Sequence, residues 1–304
     1  MTALEEPVRT ARYAWGGDEF LFIEIDESMS LEAFQRVSAL AAALEAQPVN
    51  GITDICLTNA SLLLRYDPDT IHPRALRGHV QALEHNVNRA ERAAVSNTRI
   101  LEFPVWYNDP VTEEVMKRFR SHHQAPHMTD LEYVADINDI ADGAGELIER
   151  HHTTPWMVTA VGFVAGLPFM YQLAPRAQQL QAPKYLSPRT DTPALTVGHA
   201  GCFCCIYSVR GAGGYQMFGL AAAPIFAPQS SLADFRESMV LLRAGDIVKF
   251  KPVDKAEYDD IQQRCSGGVF RYRSATVKFD IKAWERDPSS YNQTLTEALN
   301  GATD

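Results

Sequence analysis

Apolar and polar residues change period several times along this chain, and the changes mark its elements. Phe20-Leu21-Phe22-Ile23-Glu24-Ile25 reads as a strand following a Gly16-Gly17 turn. Leu31, Phe34, Val37, Leu40 and Leu44 then recur at helical spacing with polar residues between them, and Pro48 and Gly51 stop that helix. Ile52 to Tyr66 is long enough for a strand pair broken near Asn59-Ala60. Pro73 to Ala94 is rich in helix formers, and Arg99 to Tyr107 returns to strand character. The resulting order, β-α-β-β-α-β, predicts a ferredoxin-like α+β domain over residues 1–100.

Beyond that point Val115, Phe119, Leu131, Val134, Ile137 and Ile140 sit among charges with Pro126 as a break, which predicts a helical insertion at about residues 109–150. From Thr154 to Pro252 short strands divided by Gly and Pro clusters predict a closed or partly closed β-barrel. That gives a second domain over residues 101–252, insertion included. The strand-like Phe270 to Ile281 and the helical Ala283 to Leu299 make an α/β extension over residues 253–304.

The chemistry concentrates between Pro183 and Pro224. Cys202 to Val209 is apolar and β-prone, Arg210 to Gly214 reads as a turn, and Tyr215 to Leu220 reads as the returning strand of a hairpin. A phosphate-cradling glycine motif needs a helix N-terminus directly after the glycines, and Tyr215-Gln216-Met217-Phe218 offers a strand instead. Nucleotide binding at this turn is excluded on that ground.

Composition narrows the class. Lys and Arg number 28 against 38 Asp and Glu, a net charge of −10, the wrong sign for binding nucleic acid through its phosphates. The apolar run Trp156 to Tyr171 is broken by Gly162, Gly166 and Pro168 and is shorter than the roughly 20 residues a bilayer span needs. The opening MTALEEPVRT has neither a basic nor an apolar signal region, and five cysteines without framework spacing fit a reducing cytoplasm.

Pro188-Arg189-Thr190-Asp191-Thr192-Pro193, Val197-Gly198-His199-Ala200-Gly201, Ile206-Tyr207 and Gly213-Gly214-Tyr215-Gln216 resemble the first half of the carboxyltransferase domain of urea carboxylase. More broadly they resemble the family of allophanate hydrolase subunit 1 and the 5-oxoprolinase B subunit. Gly162-Phe163-Val164-Ala165-Gly166-Leu167-Pro168-Phe169 and Leu242 to Phe250 follow the same pattern. The resemblance implies a cyclophilin-like barrel. It also implies a subunit that moves CO2 from carboxybiotin to a urea-like or amide-like nitrogen, together with a second-half carboxyltransferase subunit. Biotin would sit on a carrier protein, and ATP would be used by a biotin carboxylase. The stretch Phe103 to Pro110 and the insertion around Leu131 to Asn138 look like urea carboxylase, whereas oxoprolinase-type subunits are shorter. Two alternatives stay open: a subunit of an ATP-dependent amidohydrolase, and a regulatory kinase-inhibitor-like binding protein.

Carboxyl transfer needs cations for the carboxylate and donors for the ureido oxygen. Lys184, Arg189 and Arg210 are the candidate cations, and the N–H groups of Gly213 and Gly214 the candidate donors; Tyr171 and Tyr215 complete the expected binding surface. Gln216 suits an amide-like substrate, and His199 is a candidate acid or base where relatives usually carry an aliphatic residue. Each has a plainer alternative. The glycines would be turn residues, Arg189 an ion-pair partner of Asp191, Lys184 a surface lysine, and His199 a hydrogen-bonded core residue. Cys202 and Cys204 share a strand face that Cys205 does not, and His122, His123, His127, His151 and His152 lack partnering carboxylates, so no metal site is expected.

Overall fold

The computed structural model describes residues 10–90, 95–229 and 231–302. The expectations for the first nine residues and for the end of the helix at 91–94 lie outside them. The chain divides into two compact units at Val95/Ser96.

The first unit is a four-stranded antiparallel sheet with two helices. Its strands are β1 (Arg12–Gly16), β2 (Phe20–Glu24), β3 (Ile52–Leu57) and β4 (Ser61–Tyr66), in the order β1-β2-β4-β3. Helix α1 (Leu31–Ala46) is capped by the Ser30 side chain and buries the periodic set Leu31, Phe34, Val37, Leu40 and Leu44. With Leu76, Val80 and Leu83 of α2 (Pro73–Ala90), it covers Leu21, Ile23, Leu62 and Leu64. The expected β-α-β-β-α-β order is corrected here to β-β-α-β-β-α. The Gly16-Gly17 turn is the bend of a β1–β2 hairpin, and the strand after α2 leaves this sheet altogether.

That strand, β5 (Val95–Tyr107), founds the second unit. After it come α3 (Pro110–Arg118), α4 (Asp130–Ile137) and α5 (Gly143–Thr153), then β6 (Trp156–Val161), β7 (Pro168–Gln172), β8 (Arg189–Thr192), β9 (Thr196–Ala200), β10 (Phe203–Ile206), β11 (Gly211–Gly213), β12 (Gln216–Ala221) and β13 (Ile247–Pro252). Seven strands close into a barrel in the order β12-β9-β10-β7-β6-β13-β5, with β5 pairing back onto β12. Closure brings the two backbones together at Gly219 and Tyr107, where any Cβ on residue 219 would fall 2.8 Å from the Tyr107 Cα. Only glycine fits that approach.

Strands β9 and β12 are buried along their whole length. Helices α3 and α4 pack on β12, and α5 on β13. The C-terminal residues supply α6 (Lys255–Ser266), β14 (Ser274–Asp280), α7 (Ile281–Arg286) and α8 (Pro288–Asn300), with β14 extending the barrel sheet beside β5. The five cysteines are free thiols, and Cys204 and Cys205 belong to different apolar clusters, as their alternation in β10 requires. Among the described residues no helix is long and apolar enough to cross a membrane, and no group of side chains could hold a metal ion.

Candidate active site

The RGAGG segment is neither a turn nor the bend of a hairpin, which corrects the expectation from its glycines. Strands β10 and β12 do not pair; β9 lies between them. Gly211 and Gly213 instead form β11, which pairs antiparallel with β8 and sets Gly213 opposite Arg189. None of Gly211, Gly213 and Gly214 adopts a positive φ. Gly213 is required because a Cβ there would sit 2.6 Å from Cε1 of Tyr207. Gly214 has more room, its would-be Cβ meeting Lys184 at 3.7 Å, and its carbonyl accepts the Tyr185 N–H at 2.8 Å.

The β8–β11 ribbon carries Arg189 into the protein. Its side chain is fully buried, its Nε donates to Thr192 Oγ1 at 3.2 Å, and its guanidinium lies 4.4 Å from the centroid of the Tyr185 ring. Nη1 and Nη2 make no well-formed hydrogen bond, the guanidinium otherwise reaching only the Tyr207 hydroxyl through a weak contact. The Tyr207 hydroxyl lies close enough to feel this charge, which works against the rise in its pKa that burial imposes. Asp191 does not neutralise Arg189. It accepts from Arg210 Nε at 2.6 Å and from Arg118 Nη2 at 2.7 Å, and these bonds hold its carboxyl at about 2. Arg210 is therefore an exposed clasp within the ribbon, and Arg118 ties the ribbon to α3 through the same carboxylate.

The segment leading to β8 is strapped to the helical insertion. The His122 carbonyl accepts the N–H groups of Leu186 and Ser187, Gln124 donates to the Lys184 carbonyl at 2.7 Å, and Gln216 Nε2 donates to the Pro183 carbonyl at 2.8 Å. Gln216 has little left for a substrate, since its Oε1 also accepts from His123 Nε2 at 2.9 Å. The other ring nitrogen of His123 accepts the Ala125 N–H, so the ring is neutral with its proton on Nε2. Lys184 is exposed and lies 5.6 Å from the Tyr215 ring centroid. Tyr171 is buried against Phe203, and of the aromatics between Phe163 and Tyr171 only Phe163 stands out, 86% exposed at a φ of 69°.

His199 faces the barrel interior. It stacks on Phe218, meets Trp156 edge-on, and bonds the Leu180 carbonyl through Nε2 at 3.0 Å; burial lowers its pKa to about 4. Close by, His151 of α5 shares a hydrogen bond with the Tyr107 hydroxyl through Nδ1 at 2.8 Å, lies 3.3 Å from Cys204 Sγ and stacks on Phe250. Burial depresses His151 and raises Cys204, which keeps both neutral and inert.

Sequence reasoning missed the group that organises Arg189. Asp130, the first residue of α4, is fully buried and accepts from Arg120 Nη1 at 2.9 Å, from the Met217 N–H at 2.8 Å, and from the Tyr185 hydroxyl at 2.6 and 2.8 Å on its two oxygens. Thr129 and Glu132 form a capping box at this helix start, but nothing local shows that Asp130 between them turns inward. An open cleft of about 590 Å³ lies elsewhere in this unit, where Lys251 pairs with Glu257 and Arg273 lies near Glu102.

A closed seven-stranded barrel with helices strapped across its flank defines a mixed α/β barrel protein. The chain belongs to the family of the carboxyltransferase domain, subdomain C and D, whose pattern matches residues 11–234. It is 30% identical over 250 residues to the 5-oxoprolinase B subunit of Bacillus subtilis (strain 168), covering 80% of this chain and 92% of that one. It is 27% identical over 290 residues to the urea amidolyase of Lachancea kluyveri, covering 94% of this chain but only 16% of that protein. Its fold superposes on the K. lactis urea amidolyase crystal structure with a TM-score of 0.84 at 23% identity, over 97% of this chain and 18% of that one.

Proposed function

We propose that this chain is the first half of a biotin-dependent carboxyltransferase, assembled with a second-half subunit and served by a separate biotin carboxylase and biotin carrier. The observation that carries this reading is Arg189, a buried guanidinium whose two outer nitrogens make no well-formed hydrogen bond and meet no carboxylate. A carboxylate fits it: the fork is planar, and stacking on Tyr185 and the Thr192 bond fix its orientation. Carboxybiotin, when bound, would supply the carboxyl group to be transferred. Arg189 would hold that carboxylate, and the Tyr207 hydroxyl and the ribbon backbone near Gly214 would face the same space. Extent favours urea carboxylase over oxoprolinase. Relatives of the urea amidolyase type match 94% of this chain, whereas the oxoprolinase subunit matches 80% while being itself nearly covered. Phe163, apolar and held at a strained φ, is a ready contact for the missing half.

Avidin distinguishes this reading from its rival. With the second-half, carboxylase and carrier proteins reconstituted, ATP-dependent carboxylation of a urea-like acceptor should stop when avidin is added, and the chain alone should be inactive. Activity that survives avidin would favour the second reading, an ATP-dependent amidohydrolase subunit, for which the 30% identity to the 5-oxoprolinase B subunit speaks.

A further inference from the structure

Two arginines converge on one tyrosine. Besides Arg189 at 4.4 Å, the guanidinium of Arg120 lies 5.7 Å from the Tyr185 ring centroid. The buried carboxylate in this cluster is Asp130, and its oxygens are already taken by Arg120, Tyr185 and the Met217 N–H; Glu132, which also feels Arg120, is exposed. Four guanidinium nitrogens are buried without a well-formed hydrogen bond: Nε and Nη2 of Arg120, and Nη1 and Nη2 of Arg189. Two guanidinium groups thus share one buried carboxylate, the second carboxylate near Arg120, Glu132, standing in solvent. An unpaired buried charge costs several kcal/mol, so a fold keeps one where a ligand of opposite charge completes it.

We infer that the Arg189–Tyr185–Arg120 cluster is a receptor for a single planar carboxylate, held bidentate on Arg189 with Arg120 as the second positive charge, and that this chain possesses it without a partner. Asp130 is its positioning residue. It pins the Tyr185 ring on which Arg189 lies and claims one nitrogen of Arg120, so that Arg120 cannot swing over to compete for the ligand. The inference rests on the carboxyl-transfer reading only for the source of the carboxylate, either the group being transferred or a carboxylate borne by the acceptor.

The test uses the intact isolated chain, free of biotin proteins, titrated by calorimetry with bicarbonate, acetate and 5-oxoproline at constant ionic strength against chloride. Saturable binding of the carboxylates but not of chloride or neutral 2-pyrrolidone is expected. Equal binding of acetate and 5-oxoproline assigns the site to the transferred carboxyl group; a clear preference for 5-oxoproline assigns it to the acceptor. Arg189→Lys should weaken binding about tenfold or more, because the bidentate fork is lost. Arg150→Lys, on the exposed face of α5, should change nothing. Arg189→Met should abolish binding yet raise the melting temperature of the free chain, an effect that a merely structural arginine would not give. Carboxylate binding unchanged in a folded Arg189→Met variant, or absent from the parent chain, overturns the inference. Neither result bears on whether avidin stops the assembled complex.

Discussion

Glycine 213 owes its identity to the tyrosine behind it. A methyl group there would drive into the Tyr207 ring, with atoms at 2.6 and 2.7 Å, whereas one on Gly214 would meet nothing closer than 3.7 Å. Neither residue has a positive φ, so strain in the backbone plays no part. Gly213→Ala should therefore destabilise the chain by about 1–3 kcal/mol through overpacking, and Gly214→Ala should be close to neutral. Equal denaturant midpoints for the two variants would show that Tyr207 yields freely. The sequence set Arg189 in a proline-flanked segment and glycines beside Arg210, but it could not show that Arg189 and Gly213 face each other. Turn chemistry and close packing demand the same residue, and only the partner strand distinguishes them. Asp130, Tyr185 and Arg120 were illegible for a related reason: their contacts join segments 55 and 87 residues apart, and each alone looks like an ordinary helix cap, aromatic or surface charge.

At the scale of elements, hydrophobic periodicity located α1 to its first residue and the break between β3 and β4, because both depend on local spacing. Pairing was less legible. The β10 and β12 segments resembled the two arms of a hairpin, yet both pair with β9, since the ribbon β8–β11 claims the residues between them. The strands of the barrel also enclose two histidines that must stay neutral. His199 has a pKa of about 4 in the fold against an ordinary value near 6.5, and His151 is depressed in the same direction. The unfolded chain therefore binds protons that the native one refuses. Stability is full above pH ~6.5 and falls as the pH drops toward 4, with His199 alone accounting for about 3 kcal/mol. Urea denaturation across this range should show a shallower decline in His199→Val than in the parent chain. Parallel slopes would mean that His199 takes up its proton inside the barrel.

The barrel of the second unit is closed by β5, the strand hardest to place from sequence. It reads as the last strand of the first domain, while its partners are β12, β13 and β14. Its parallel pairing sets Ile100 against Ile247 and Val105 against Pro252. That separation has a consequence for how the chain is made. The sheet and both helices of the first unit are complete by Ala90, whereas the ladder groups of β5 wait for residues that are synthesised much later. Contacts so distant form slowly, and a strand kept waiting is an open edge on which a neighbouring nascent chain can pair. Chains ended after Ala221 should therefore resist limited proteolysis over residues 10–90 and be cut freely from β5 onward, and chains carried through to the C-terminus should resist along both units. Protection of β5 in the shortened chain would show that the barrel can begin without its last staves. Translation speed between β5 and β13 then becomes a determinant of yield, one that a codon change can alter without touching a single side chain.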